Sequence, residues 1–247
     1  MQLLLDFLCR FGWGMAAGLV LTPTAIVPAG FFRVNLLVVL GLATAAALVA
    51  RGTAAASLVW MLAATAAGVA WMGSVAWLGD RRRAGLWLCG ATAFLLAAAT
   101  ALVATAPGPT IATADTPRAA AALLSGLVSG LAVHAMLLGH WYLNAPGMRV
   151  DALRRMIDLA VAAWALQLAW CGATLAFGGW PGAGGTTTTA LVALRWLAGL
   201  VGLPVLLVMA RKTLDIPNTQ SATGILYVAC LAAILGELTA QLLQASG

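Results

Sequence analysis

Apolar runs of about 20 residues follow one another along the entire chain, and the breaks between them are too short to build a separate domain. In helical form such a run matches the hydrocarbon thickness of a bilayer, where a helix satisfies its own backbone hydrogen bonds. Of the 247 residues, 63% are hydrophobic and only 8% charged, whereas a soluble domain has roughly 25% charged. Mean hydropathy is +1.00. The expected fold is an all-α integral membrane protein, one polytopic domain over residues 1–247.

Turn chemistry marks the breaks: T-P-T at 22–24, R-G-T at 51–53, D-R-R-R at 80–83, A-P-G-P-T at 106–110, N-A-P-G at 144–147, G-G-W-P-G-A-G-G at 178–185 and D-I-P-N at 215–218. They divide the chain into eight spans, at about 3–25, 33–50, 54–78, 84–106, 119–143, 152–177, 187–211 and 222–244. P-A-G-F-F-R at 28–33 reads either as the entry to the second span or as a short re-entrant piece. The first run is long and lacks a basic leader, so it is expected to remain as a span.

The net charge of +6 comes from residues that lie singly or in threes between apolar runs. That is a topology signal, and nucleic acid is not an expected partner. Nine basic residues (Arg33, Arg81, Arg82, Arg83, Arg149, Arg154, Arg155, Arg211, Lys212) fall at the odd-numbered connections. Three, Arg10, Arg51 and Arg118, fall on the opposite side, and Arg195 lies inside a span. The asymmetry puts both termini on the outer side of a bacterial-type inner membrane. The expected partners are the lipid bilayer and other membrane or peripheral subunits. Cys9, Cys89, Cys171 and Cys230 sit in four different runs without a CxxC or a ferredoxin-type cluster, and read as free thiols.

With so few charges, each ionisable group inside a span is informative, since placing one there costs roughly 2.5–3.5 kcal/mol on insertion scales. Arg195 and Glu237 each lie about 10–12 Å below the outer surface of adjacent spans and are expected to pair, either as a buried ion pair that fixes helix register or as a proton or anion site at the outer face. Gln167 and Gln241 are their neutral companions. At the cytoplasmic end of spans 5 and 6, His140, Tyr142, Arg155 and Asp158 are candidates for a quinone pocket: the imidazole hydrogen-bonds a quinone oxygen, and the carboxylate passes a proton. The plainer alternative is an i,i+4 pair between Arg154 and Asp158, with Trp141 and Tyr142 as an aromatic belt.

Both histidines occur in V-H-A-M-L-L-G-H-W-Y-L at 133–143. Gly126, Gly130 and His134 repeat every four residues, so the imidazole shares a stripe with a G-x-x-x-G surface. Such a stripe admits either a close helix or a flat cofactor. His134 is thus a candidate haem-iron ligand or a hydrogen-bond partner of Gln167. His134 and His140 lie about 240° apart around the helix and cannot clamp one iron between them. A b-type haem would therefore need a methionine, an unusual ligand or, if shared with a partner subunit, a histidine from that subunit.

Several classes drop out. The only lysine, Lys212, lies at a connection, so there is no retinal-type Schiff base; HExxH, GxGD, Walker and arginine-ladder motifs are absent. Three stretches, 28–35, 137–147 and 215–227, are dense in specific residues and are expected to meet on the cytoplasmic side. The function expected first is a membrane subunit of an electron-transfer complex touching quinone or haem near spans 5 and 6. Its eight-span layout is similar to that of quinol-oxidising anchor subunits, a likeness of architecture that does not give function. The second expectation is a small-solute transporter or channel with a path past His134, Arg195 and Glu237. The third is an assembly or scaffold subunit without chemistry.

Overall fold

The computed structural model describes residues 1–52, 57–105, 115–145, 147–178, 186–216 and 218–246. Among these, all regular structure is helical: α1 (Gln2–Leu21), α2 (Ala29–Arg51), α3 (Ser57–Leu78), α4 (Arg82–Ala104), α5 (Asp115–Asn144), α6 (Asp151–Gly178), α7 (Thr186–Leu194), a π-helical segment (Arg195–Gly202), α8 (Leu203–Thr213) and α9 (Thr219–Ser246). α7, the π segment and α8 run on as one span. Eight helices are thereby long and apolar enough to cross a membrane. The breaks at 106–110 and 179–185 lie outside the described residues.

Local chemistry moves the span ends. α1 stops at Leu21 because Thr22 precedes Pro23 and is extended, with ψ 129. Pro28, φ −63, is the N-cap of α2, and its fixed φ suits that position. P-A-G-F-F-R therefore begins a full span rather than a re-entrant piece. Asn218 accepts the Ser221 N–H at 2.9 Å and caps α9. Asp80 takes a left-handed φ of 51 between α3 and α4, which a short polar side chain tolerates.

α1 packs on α2, α4 and α5; α3 joins α2 to α4; α5 holds α6 and α9; α8 and the π segment lie on α9. The α1–α5 crossing is the closest. A Cβ on Gly126 would sit 2.5 Å from the Arg10 carbonyl oxygen, and one on Gly18 would sit 2.6 Å from Cγ of His134. Gly14 and Gly130 meet backbone to backbone in the same seam. In a bilayer, apolar helices would have little hydrophobic drive to associate, and close approach of this kind is what supplies attraction, as dispersion. The stripe Gly126–Gly130–His134 thus faces a helix. Near it Phe32 stacks on Trp77, ring centres 4.2 Å apart, while Phe31 stands edge-on to His134 and Trp141.

The odd-numbered connections gather at one end of the bundle. Arg82 Nη1 donates to the Thr24 carbonyl at 3.0 Å, and Arg154 donates to the Leu214 carbonyl. The three residue-dense stretches also meet there: Trp141 lies against Phe31 and Gly30, and His140 against Tyr227. α5 is the most enclosed span, whereas α6 and the composite seventh span are largely exposed.

Candidate functional site

Away from the arginine-rich end, three helices bring a charged cluster together inside the bundle. Arg10 is the ninth residue of α1, about 12 Å in from its start, and is only 4% exposed. Asp6, one turn earlier, binds it with both oxygens: Nε to Oδ1 at 2.8 Å and Nη2 to Oδ2 at 2.6 Å. Nη1 donates to Glu237 Oε1 on α9 at 3.0 Å and to Ser125 Oγ on α5 at 3.3 Å, and Nη2 donates to Gln244 Oε1 at 3.2 Å. Glu237 also accepts from Gln241 Nε2 at 2.8 Å. Glu237, Gln241 and Gln244 recur at helical spacing, so one face of α9 carries all three. The remaining amide oxygen of Gln241 is buried without a partner among the described residues.

Beside this cluster is a small cavity, volume about 20 Å³, room for about one water. Ser125, Ser129, Gln167, Arg195 and Glu237 supply polar groups to it; Val128, Leu200, Leu203 and Ala233 supply apolar wall; Gly199 and Gly236 meet at its floor. Ser125 and Ser129 occupy a face of α5 adjoining its glycine stripe. Arg195 enters from the start of the π segment and donates Nη2–H to Sγ of Cys171 at 3.5 Å.

The π segment has a cause in the sequence. Pro204, at the start of α8, has no N–H to give to the Leu200 carbonyl one turn back, and its ring crowds that carbonyl. Widening to i→i+5 bonding accommodates the ring; the Leu203 N–H bonds Ala198 O, five residues back. The freed Leu200 carbonyl accepts Trp164 Nε1–H at 3.2 Å. A neighbouring side chain thereby satisfies the backbone that proline disrupts, as membrane helices require.

The structure corrects the expected ion pair. Glu237 and Arg195 line one cavity, but the carboxylate is bound to Arg10 instead of Arg195. The reason is the α1–α5 seam: its glycines draw α1 into the centre of the bundle, and Arg10, read from sequence as an end charge, is carried inside.

His134 is fully buried, and its Nε2 lies 2.7 Å from Thr22 Oγ1. That hydroxyl also donates to the Gly18 carbonyl at 2.7 Å. A hydroxyl has one proton, so this arrangement makes it the acceptor of Nε2–H and leaves Nδ1 as a buried lone pair without a partner. Thr22, not Gln167, is therefore the partner of His134; Gln167 belongs to the cavity. Ligation of a haem through Nε2 would displace Thr22, and ligation through the free Nδ1 would need space beside an imidazole that is fully buried. Among the described residues, no group of three or more His, Cys, Asp and Glu side chains could hold a metal ion.

The four residues proposed for a quinone pocket are drawn to different partners. His140, exposed, has Nδ1 3.1 Å from the Tyr227 hydroxyl on α9. Asp158 pairs with Arg211 of α8 at 2.9 Å rather than with Arg154, which reaches Asp215 at 3.9 Å. The Tyr142 hydroxyl donates to the Arg149 carbonyl and closes its loop. Arg155 is exposed. The cause is that α5 turns His140 towards α9, whereas α6 turns Asp158 towards α8.

Asp6, Arg10, Ser125, Ser129, Gln244, Thr22, Tyr227 and Pro204 are the participants that sequence reasoning missed. The i,i+4 spacing of Asp6 and Arg10 inside an apolar run was the signal available. The chain matches no known protein family, and no curated protein or solved structure matches it either.

Proposed function

We propose that the chain is a multi-pass carrier of a bacterial-type inner membrane, with both termini outside, that binds a small solute between Glu237 and Arg195, where a cavity with room for about one water widens to admit it. The observation that carries this reading is a buried Asp6–Arg10–Glu237 cluster that opens onto a cavity containing a second guanidinium. Ionisable groups at membrane depth are costly and concentrate on solute pathways. A π-helical widening of the seventh span beside the site supports the same reading, because such irregular turns are frequent at functional sites. The test is uptake of labelled amino acids, organic acids and sugars into liposomes containing the purified protein. Transport of one class that falls at least tenfold in Glu237→Gln supports the reading, and undiminished transport in that variant sinks it.

A second reading, the electron-transfer subunit with other membrane or peripheral subunits as partners, is favoured by one specific contact. His140 and Tyr227 form an exposed imidazole–phenol pair, with groups suited to hydrogen-bonding a quinone carbonyl. Titration with a short-chain ubiquinone decides it: His140→Ala weakens binding if the pair is used and leaves it unchanged if it is not.

A further inference from the structure

Arg195 lines the cavity, and its contact with the Cys171 thiol is weak. Among the described residues no carboxylate lies within ion-pair distance of it. A guanidinium offers five donors in a planar fork that fits an oxyanion. The wall beyond it, Leu200, Leu203 and Ala233, is apolar. Among the described residues, hydrogen bonds from Trp164 to the Leu200 carbonyl and from Arg195 to Cys171 bridge the flank between α6 and the π segment, while α6 packs on α5 and α8. Leu166 on α6 and Leu197 on the π segment are 59% and 69% exposed, and in a bilayer such side chains face acyl chains.

We infer that the ligand is an amphiphilic organic anion, a carboxylate on an apolar chain, that enters sideways from the bilayer between α6 and the π segment. Its carboxylate takes the one-water space at Arg195, and its chain runs outward between α6 and the π segment along Leu166 and Leu197. The location rests on the cavity reading above; the ligand class does not depend on transport taking place.

Cys171 is a built-in reporter, since it is half-buried and touches Arg195 while Cys9, Cys89 and Cys230 are buried. The full-length protein in nanodiscs of zwitterionic lipid is labelled with N-ethylmaleimide and read by intact mass, with Cys171→Ser identifying the site. Decanoate, decanol (at the same mole fraction in the bilayer) and acetate are the probes. Decanoate is expected to slow labelling at a concentration at least tenfold below that of either other probe. Arg195→Gln should raise that concentration at least tenfold, with Arg195→Lys intermediate, and Arg195→Lys keeps the test usable should the neutral variant fail to fold. Equal protection by decanol means that the cleft does not read charge; equal protection by acetate means a water-soluble anion; an unchanged Arg195→Gln removes the guanidinium. Each of these overturns the inference. Protection by decanoate without Glu237-dependent uptake removes the carrier and keeps the ligand class, and the reverse result does the opposite.

Discussion

Two arginines stand inside the same bundle, and their surroundings differ in kind. At the α1–α5–α9 junction, Arg10 is enclosed and holds two carboxylates, a serine and a glutamine. Between α6 and the π segment, Arg195 holds a thiol and lines a cavity with room for about one water. A saturated guanidinium is a fastener for three helices. One with spare donors beside a cavity is suited to be a receptor, the role we propose for Arg195. The same side chain at similar depth thus has two different settings, distinguished by how many acceptors the neighbouring helices bring to it.

The largest effect expected is from Arg10→Leu. Removing the cation leaves Asp6 and Glu237 buried and facing each other, and breaking such a pair costs about 3–5 kcal/mol. Arg195→Leu loses only a weak contact and should stay within about 1 kcal/mol of the parent. Thermal melting in one detergent checks both. Equal destabilisation by the two variants would erase the distinction between fastener and receptor.

Next is the seam that carries Arg10 inward. Gly130→Val places branched carbons against the Gly14 backbone, and overpacking of this kind costs about 1–3 kcal/mol or more. Gly224, whose Cβ would meet nothing within 4 Å, should accept the same change at little cost. Melting curves for the two variants separate close approach from a general effect of enlarging a glycine.

How much of this could be read beforehand follows from what each feature depends on. Eight helices long and apolar enough to cross a membrane, among the described residues, were legible because length and hydropathy are local properties of the sequence. Boundaries moved by a few residues at Pro23 and Pro28, where backbone restriction outranks hydropathy. Glu237 stood out as an intramembrane acid, but its partner did not: Arg10 lies 227 residues away in sequence, and only the glycine seam brings it close. Choosing the neighbouring hairpin, and so Arg195, was reasonable locally and wrong in three dimensions. His140 and Asp158 were misjoined for the same reason, since sequence gave their depth but not the direction each helix faces. Pro204 was readable as a helix interruption, yet the leucines and valines around it mask it in any apolar run.

Pro204→Ala probes the receptor side more gently. It returns an N–H for the Leu200 carbonyl and removes the reason for the wide turn. Stability should change by under about 1 kcal/mol, in the direction of a gain. Protection of Cys171 by decanoate should weaken, because Arg195 begins the segment that would rewind. A variant that keeps both its melting point and its ligand protection would show that the π segment does not position Arg195.

The smallest effect concerns the other polar group on the α1–α5 seam. Thr22→Val keeps the shape of the side chain and removes the hydroxyl that holds His134 Nε2. Interhelical hydrogen bonds in membranes average about 0.6 kcal/mol by double-mutant cycles, so the loss should be of that order, well below that of Arg10→Leu. Thr22→Val combined with His134→Leu should recover part of it, because two apolar groups then meet where one orphaned imidazole stood. Cavity-dependent readouts such as Cys171 protection should stay at the parent value in both variants, since His134 and Thr22 do not line the cavity. Altered protection would mean that the two ends of the seam are mechanically joined, and the fastener at Arg10 would then have to be treated as part of the receptor.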